Sequence, residues 1–212
     1  MNFKILKKKL TRFDIIIFDL DDTIYAQIQY DNPALLRVSK YLENIINQDK
    51  NLIFKQLRKL KKIRRGLPPK LIFNNFVKKK NISNKKKIIQ KCVYLFQNYE
   101  CKELRYCDSL KPLLKQFYKK KLFFLVTNGF NKRQNNKIRY LGIKKYFQRI
   151  FILDGIKKIV KPSIRDVQYL VRYLNKNHNL KAVFVGDNKL TDYRFAKNLK
   201  IKFTLFQFPN TL

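Results

Sequence analysis

The stretch Phe13-Asp-Ile-Ile-Ile-Phe-Asp-Leu-Asp-Asp-Thr-Ile-Tyr25 decides the fold. Its apolar run, residues 15–18, has the length and composition of a short buried strand. The run ends in three carboxylates, Asp19, Asp21 and Asp22, with Thr23 directly after them. Side chains at i and i+2 leave an extended strand on one side, so Asp19 and Asp21 can converge just past the strand end. Open parallel sheets bind their ligands at that edge. Two carboxylates so close resist joint ionisation, and a bound hard cation such as Mg²⁺ relieves the repulsion. The alternative is an acidic turn capping a helix, because Asp and Thr are good N-caps.

The rest of the chain supplies the context. Residues 1–12 are a basic lead-in, and residues 26–107 read as a long helical interval. Leu35, Val38, Leu42, Ile45 and Ile46 share one helical face; Ile53, Leu57 and Leu60 repeat the pattern, and so do Ile89, Cys92, Leu95, Phe96 and Tyr99. Gly66, Pro68 and Pro69 interrupt the interval, which predicts three or four helices. Beyond it, strands at 122–126, 149–153, 182–185 and 202–206 alternate with helices at 109–120, 132–141, 163–175 and about 191–199. Asp108 or Ser109 would cap the first of these helices, and Gly142 would close the second. Such alternation predicts an α/β fold with a doubly wound, parallel, Rossmann-like sheet and a helical segment inserted after the first strand. The expected division is a core of residues 1–25 and 105–212 and a helical domain of residues 26–104.

Each strand end, or the loop after it, carries polar groups. The first offers Asp19 and Asp21, the second Thr127 and Asn128, and the fourth Asp187, with Asp192 five residues on. Lys161 and Pro162 follow the third. In a parallel sheet these groups meet at one edge: acids for a cation, a hydroxyl and an amide for oxygen atoms, and one ammonium. The set suits phosphoryl transfer, in which the protein positions groups and neutralises charge.

These residues resemble the haloacid dehalogenase superfamily of hydrolases, in its phosphatase branch. Four motifs occur in order: Asp19-Leu-Asp21-Asp-Thr23, Thr127-Asn128-Gly129, Lys161-Pro162, and Gly186-Asp187-Asn-Lys-Leu-Thr-Asp192. Gln134 and Lys137 before Leu141-Gly142-Ile143, and Tyr146-Phe147 before Ile150-Phe151, agree with it. The likeness covers about residues 13–25 and 105–206; residues 26–104 match only in position and helical character, like the family's C1-type cap. The resemblance implies that Asp19 is the nucleophile and forms an aspartyl-phosphate, and that Asp21 is the acid and base. It implies Mg²⁺ held by Asp19, Asp187 and the Asp21 main-chain carbonyl, phosphate bound by Thr127, Asn128 and Lys161, and an orienting role for Asp192 behind the metal ligands or Lys161. Asp22 is expected to be a turn former. The acid at Asp21 disfavours dehalogenation, since halide departure needs no proton. The chain departs from the family where Phe195 and Lys200 stand in place of common small residues, and where Lys119–Lys121 replace the glycine often found before the second strand.

The expected activity is hydrolysis of a small phosphomonoester, a sugar phosphate or a nucleotide; a small cap favours small substrates. Arg64 and Arg65 could meet a second anionic group. A phosphomutase remains an alternative from sequence.

Charge supports a different alternative. The 212 residues carry a net charge of +35, and no acid occurs between Lys50 and Tyr99. A polyanion- or RNA-binding module built on the same scaffold would use that segment, with Tyr94 and Phe96 beside Lys91. The abundance of Lys, Asn, Ile, Phe and Tyr, with 5 Gly, 6 Pro and no Trp, is equally the imprint of A/T-rich codons, and that origin is favoured. No apolar run reaches the ~20 residues of a membrane helix, and the first residues lack the apolar region of a signal peptide. Cys92, Cys101 and Cys107 have no metal-type spacing, and reduced thiols fit a cytoplasmic location. The single histidine, His178, sits in an Asn-rich loop and is expected to be solvated, which argues against histidine-based phosphoryl or acyl transfer.

Overall fold

A computed structural model describes residues 3–63, 69–105, 110–154 and 160–206. Five strands form one sheet: β1 (Ile15–Phe18), β2 (Leu122–Asn128), β3 (Arg149–Leu153), β4 (Ala182–Gly186) and β5 (Lys202–Leu205). Every pairing is parallel and the order is β3-β2-β1-β4-β5. The strands therefore build outward on one side of β1 and then restart on the other. The reversal point lies between β1 and β4, where such sheets open a crevice beyond their carboxyl ends.

All four residues of β1 are buried, as a central strand covered on both faces requires. Ile15 and Ile17 join Phe124, Val126, Phe184 and Phe195 in one apolar layer. Phe18 points the other way and meets Phe123 edge to face, with ring centres 5.5 Å apart. Phe195, bulky where the family is often small, is fully buried and packs edge to face on Phe184 at 5.4 Å. It fills the layer rather than disturbing it.

The helices are α1 (Phe3–Leu10), α2 (Ile28–Ile46), α3 (Lys50–Ile63), α4 (Pro69–Val77), α5 (Lys85–Gln97), α6 (Leu110–Phe117), α7 (Asn131–Leu141), α8 (Gln168–Lys176) and α9 (Arg194–Asn198). The basic lead-in is thus helical, anchored by buried Leu6 and Leu10. The helix expected over 163–175 splits into a 3₁₀ turn, Arg165–Val167, followed by α8. The helix expected over about 191–199 is present, opening with a π-helical turn, Lys189–Tyr193, that runs directly into α9. Asn188 caps that turn, its side chain accepting from the Leu190 and Thr191 amides. Gly66, Pro68, Asp108, Ser109, Arg64 and Arg65 lie outside the described residues.

Contacts divide the chain into two compact units, Met1–Gln27 with Glu103–Leu212, and Ile28–Lys102. The second contains α2 to α5. Leu35, Val38, Leu42, Ile53, Leu57, Ile89, Cys92, Leu95 and Phe96 are buried there, while Ile45, Ile46, Leu60 and Tyr99 are half-buried. Tyr30 is buried with its hydroxyl donating to the Phe96 carbonyl at 2.7 Å. Lys61 pairs with Asp31 at 3.0 Å. Burial pushes the Cys92 thiol up to about 12, which keeps it protonated.

Two helices end in the same hydrogen-bonded closure with different residues at its left-handed position. After α7 it is Gly142, at φ 61°; after α9 it is Lys200, at φ 57°. Lys200 N–H donates to the Lys197 carbonyl and Ile201 N–H to that of Ala196, the paired bonds of a Schellman motif. A side chain there costs about 1 kcal/mol relative to glycine. Lys200→Gly is therefore expected to raise unfolding stability by roughly that amount. Urea titration of the two proteins measures it.

Candidate active site

The carboxyl edge of the sheet brings the polar groups together. Asp19 follows β1 directly, its amide donating to the Val185 carbonyl at 2.9 Å, so the pairing with β4 continues one residue past the strand. Asp19 is 6% exposed, Thr127 1%, Lys161 3% and Asp192 1%, an unusual concentration of buried polar side chains. Such groups need partners: Asp19, Lys161 and Asp192 are one another's, and Thr127 has Gln134.

Lys161 Nζ lies 2.6 Å from Asp19 Oδ1 and 2.6 Å from Asp192 Oδ1. Its own main-chain amide donates to Asn128 Oδ1 at 2.9 Å, tying the Lys161 loop to the end of β2. Asp192 turns its other oxygen to the Asn188 amide at 3.1 Å. Gly186 makes the room: a Cβ there would come 2.4 Å from Asp192 Oδ2.

One oxygen from each of Asp19, Asp187 and Asp192 lies within 4.8 Å of the other two. Three hard oxygen donors so close, with one ammonium among them, carry excess negative charge. Burial, with the nearby charges of Asp192 and Asp21, raises the Asp19 carboxyl well above the usual carboxylate range despite Lys161. Lys161 is pushed up to about 12: burial opposes its charge, but Asp19 and Asp192 outweigh burial. The donor set fits a divalent cation of the Mg²⁺ type. Asp192 thus stands among the candidate ligands and on Lys161 at once.

The Asp21 side chain faces elsewhere. Lys137 Nζ reaches Asp21 Oδ1 at 2.7 Å, the Tyr25 hydroxyl donates to the same oxygen at 2.5 Å, and Gln134 Nε2 reaches Oδ2 at 3.1 Å. Gln134 also donates to Thr127 Oγ1 at 2.7 Å, so one side chain spans the acid and the hydroxyl. The Asp21 carboxylate is thus not among the clustered acid oxygens of Asp19, Asp187 and Asp192. Burial pushes its pKa up, but Lys137, Arg133 and the hydrogen bonds outweigh burial and hold it at about 2.

A carboxylate depressed from 3.8 to about 2 stabilises the fold above the unfolded value and loses that contribution as pH falls through the folded one. Wild type is expected to lose about 2 kcal/mol of unfolding stability by this route between about pH 4 and pH 2. Lys137→Met removes the largest of the lowering influences, so its deficit against wild type shrinks over that window. Urea melts across the pH range would show it.

In the sequence Gln134 and Lys137 stand out only as minor similarities to the family. Their spacing on α7, with Gln134 seven residues past Thr127 and Lys137 on the next turn, is the signal that could have placed both beside Asp21. Asp22 adopts φ 55° and its carboxylate accepts from the Gln27 amide at 2.9 Å, a local turn former. His178 is exposed in the turn after α8.

A family model described as haloacid dehalogenase-like hydrolase matches residues 13–200. The chain belongs to the haloacid dehalogenase-like hydrolases. Among solved structures, this hydrolase resembles the HAD phosphatase of Thermococcus onnurineus, with a TM-score of 0.62 at 18% identity, over 94% of this chain and 88% of that one. It also resembles a Bacillus subtilis protein described as a HAD-hydrolase, YfnB, in a magnesium-bound form, with a TM-score of 0.64 at 17% identity, over 95% and 91%. At these identities the likeness is one of fold. Among curated proteins, it is 25% identical over 124 residues to the N-acylneuraminate-9-phosphatase of Mus musculus, covering 58% of this chain and 49% of that one. It is 24% identical over 121 residues to the Homo sapiens protein of that name, covering 57% and 48%. The hydrolase thus spans about half the length of the curated relatives it matches. No helix among its described residues is long and apolar enough to cross a membrane.

Proposed function

We propose that this chain is a Mg²⁺-dependent phosphatase that hydrolyses a small phosphomonoester, a sugar phosphate or nucleotide, through an aspartyl-phosphate on Asp19. The observation that carries the reading is the buried group in which Lys161 contacts Asp19 and Asp192 at 2.6 Å and Asp187 joins both acids. It pairs a nucleophile with an ammonium for phosphate oxygens and a place for a divalent ion. Asp19, Asp187, Asp192 and the Asp21 main-chain carbonyl would hold Mg²⁺. When bound, the ion neutralises charge between an anionic phosphate and Asp19.

Asp19 attacks phosphorus, the bond to the leaving oxygen breaks, and Asp21 gives that oxygen its proton. In the second half Asp21 takes a proton from water, the hydroxide attacks phosphorus, and phosphate leaves with Asp19 restored. Thr127 Oγ1, the Asn128 amide and Lys161 bind phosphate oxygens. Asp21 enters the second half as a base, the form that Lys137 favours. The first half needs its proton, so its carboxylate must leave Lys137 when the leaving group arrives. Residues 26–104, read as a cap, would choose that leaving group.

The name of the curated relatives puts a phosphorylated sugar acid at the head of the substrates to try. Phosphate release is measured across sugar phosphates and nucleotides, with Mg²⁺, with EDTA, and with Mg²⁺ restored. Turnover that EDTA removes and Mg²⁺ returns is the expected result. A shifted phosphate without free phosphate would identify a mutase instead. Silence across the panel, or release indifferent to EDTA, would refute the reading.

A further inference from the structure

A second candidate site, an apolar floor ringed by cationic side chains, lies at the other end of the strands. The catalytic groups follow the carboxyl ends of β1, β2 and β4. At the amino edge of the same parallel sheet opens a cleft of about 540 Å³, within the size range of ligand pockets. Strands of four to seven residues at about 3.3 Å each put the two edges more than 10 Å apart.

Four cations line the cleft. Lys9 comes from α1, Arg12 from the turn after it, Lys181 from just before β4, and Lys202 opens β5. All four side chains are exposed. Among the described residues none of them forms an ion pair and no carboxylate lines the cleft. Asp14, the acid adjoining in sequence, accepts from the Lys181 main-chain amide at 2.8 Å. The rings of Phe13 and Phe203 form part of the wall and are only half-buried. Phe203 is braced edge to face by Tyr193 at 5.7 Å.

Cations alone would say little in a chain of net charge +35. What distinguishes this place is cations from three separate segments gathered around two half-buried aromatic residues, one of them, Phe203, resting on the core, in a concave site. Inorganic phosphate uses the charges and wastes the rings. An apolar ligand uses the rings and wastes the charges. A strand of nucleotides uses both: phosphates on the lysines and arginine, a base against a ring. We propose that this cleft binds single-stranded nucleic acid, with Lys9, Arg12, Lys181 and Lys202 on successive phosphates and Phe13 and Phe203 receiving a base. The site is independent of the phosphatase reading.

The test is fluorescence anisotropy of a labelled single-stranded RNA 12-mer with the full chain over a salt series. Three variants are compared with wild type. The first carries Lys9→Gln, Arg12→Gln, Lys181→Gln and Lys202→Gln. The second removes the same charge from α5, through Lys85→Gln, Lys86→Gln, Lys87→Gln and Lys91→Gln. The third is Phe203→Leu. Thermal melts check that each is folded, and phosphate release, whatever its wild-type level, stays unchanged in the first two. The cleft variant is expected to bind on the order of 100-fold more weakly at 0.1 M salt, with a salt slope shallower by about 3, since each phosphate contact is worth about 0.7. The α5 variant changes less than about threefold. Phe203→Leu weakens RNA about tenfold but leaves inorganic polyphosphate unaffected. Equal loss in the two charge variants, loss confined to the α5 variant, no binding by wild type, or indifference of RNA to Phe203→Leu would each overturn the proposal.

Discussion

Asp19→Asn is expected to leave the protein folded and its phosphate release at least about 10⁴-fold lower. Asparagine keeps an oxygen to accept from Lys161, so the buried contact at 2.6 Å survives while the nucleophile is gone. The same substitution should stabilise the metal-free protein. Asp19 is raised well above the usual carboxylate range by burial, with Asp192 and Asp21 adding repulsion. A group raised in this way favours the fold below its unfolded pKa and loses that advantage as pH rises toward the folded value. The variant's lead in melting temperature should therefore widen from about pH 4 toward neutrality. Mg²⁺ should narrow it by stabilising wild type more, because a ligand of the native state adds stability by mass action. Melts with and without Mg²⁺, run beside the release assay, separate the two effects. Wild-type turnover in the variant would sink the aspartyl-phosphate mechanism.

The second large effect is on Lys161. Lys161→Met keeps much of the length and removes the ammonium, leaving Asp19 and Asp192 buried without it. Breaking a buried ion pair on one side costs about 3–5 kcal/mol, and here two acids lose the same partner. Activity falls as well, since a phosphate oxygen loses its ammonium. Adding Asp192→Asn should restore part of the stability and none of the activity. A double-mutant cycle in urea reads the coupling. Additive stabilities would show that the Lys161–Asp192 contact carries no coupling.

The sheet was legible because its strands are buried runs with little ambiguity of period. Residues 15–18, 122–126, 149–153, 182–185 and 202–206 contain or closely match the observed strands. Gly142 marked a helix end because only a left-handed residue closes that turn easily. The helix over about 191–199 was legible from its apolar spacing, but the π-helical turn that opens it was not. The π-helical turn there is set by the Asn188 side chain and by the need to bring Asp192 back onto Lys161, which no local pattern announces. Likewise Asp19, Thr127, Lys161 and Asp187 were legible as candidates because a parallel sheet collects strand ends. The turning of Asp21 toward Lys137 was not, because it depends on a contact between residues 116 positions apart.

The division of the chain has a consequence for how such a protein can change. Residues 28–102 leave the core unit after Gln27 and return to it at Glu103, while all five strands and all the proposed reacting groups belong to the other unit. The insertion falls between Asp21 and Thr127, inside the list of reacting groups yet containing none of them. On the proposed reading, in which that segment chooses the leaving group, its substitution or replacement would leave the strand register that aligns Asp19 and Asp187 untouched.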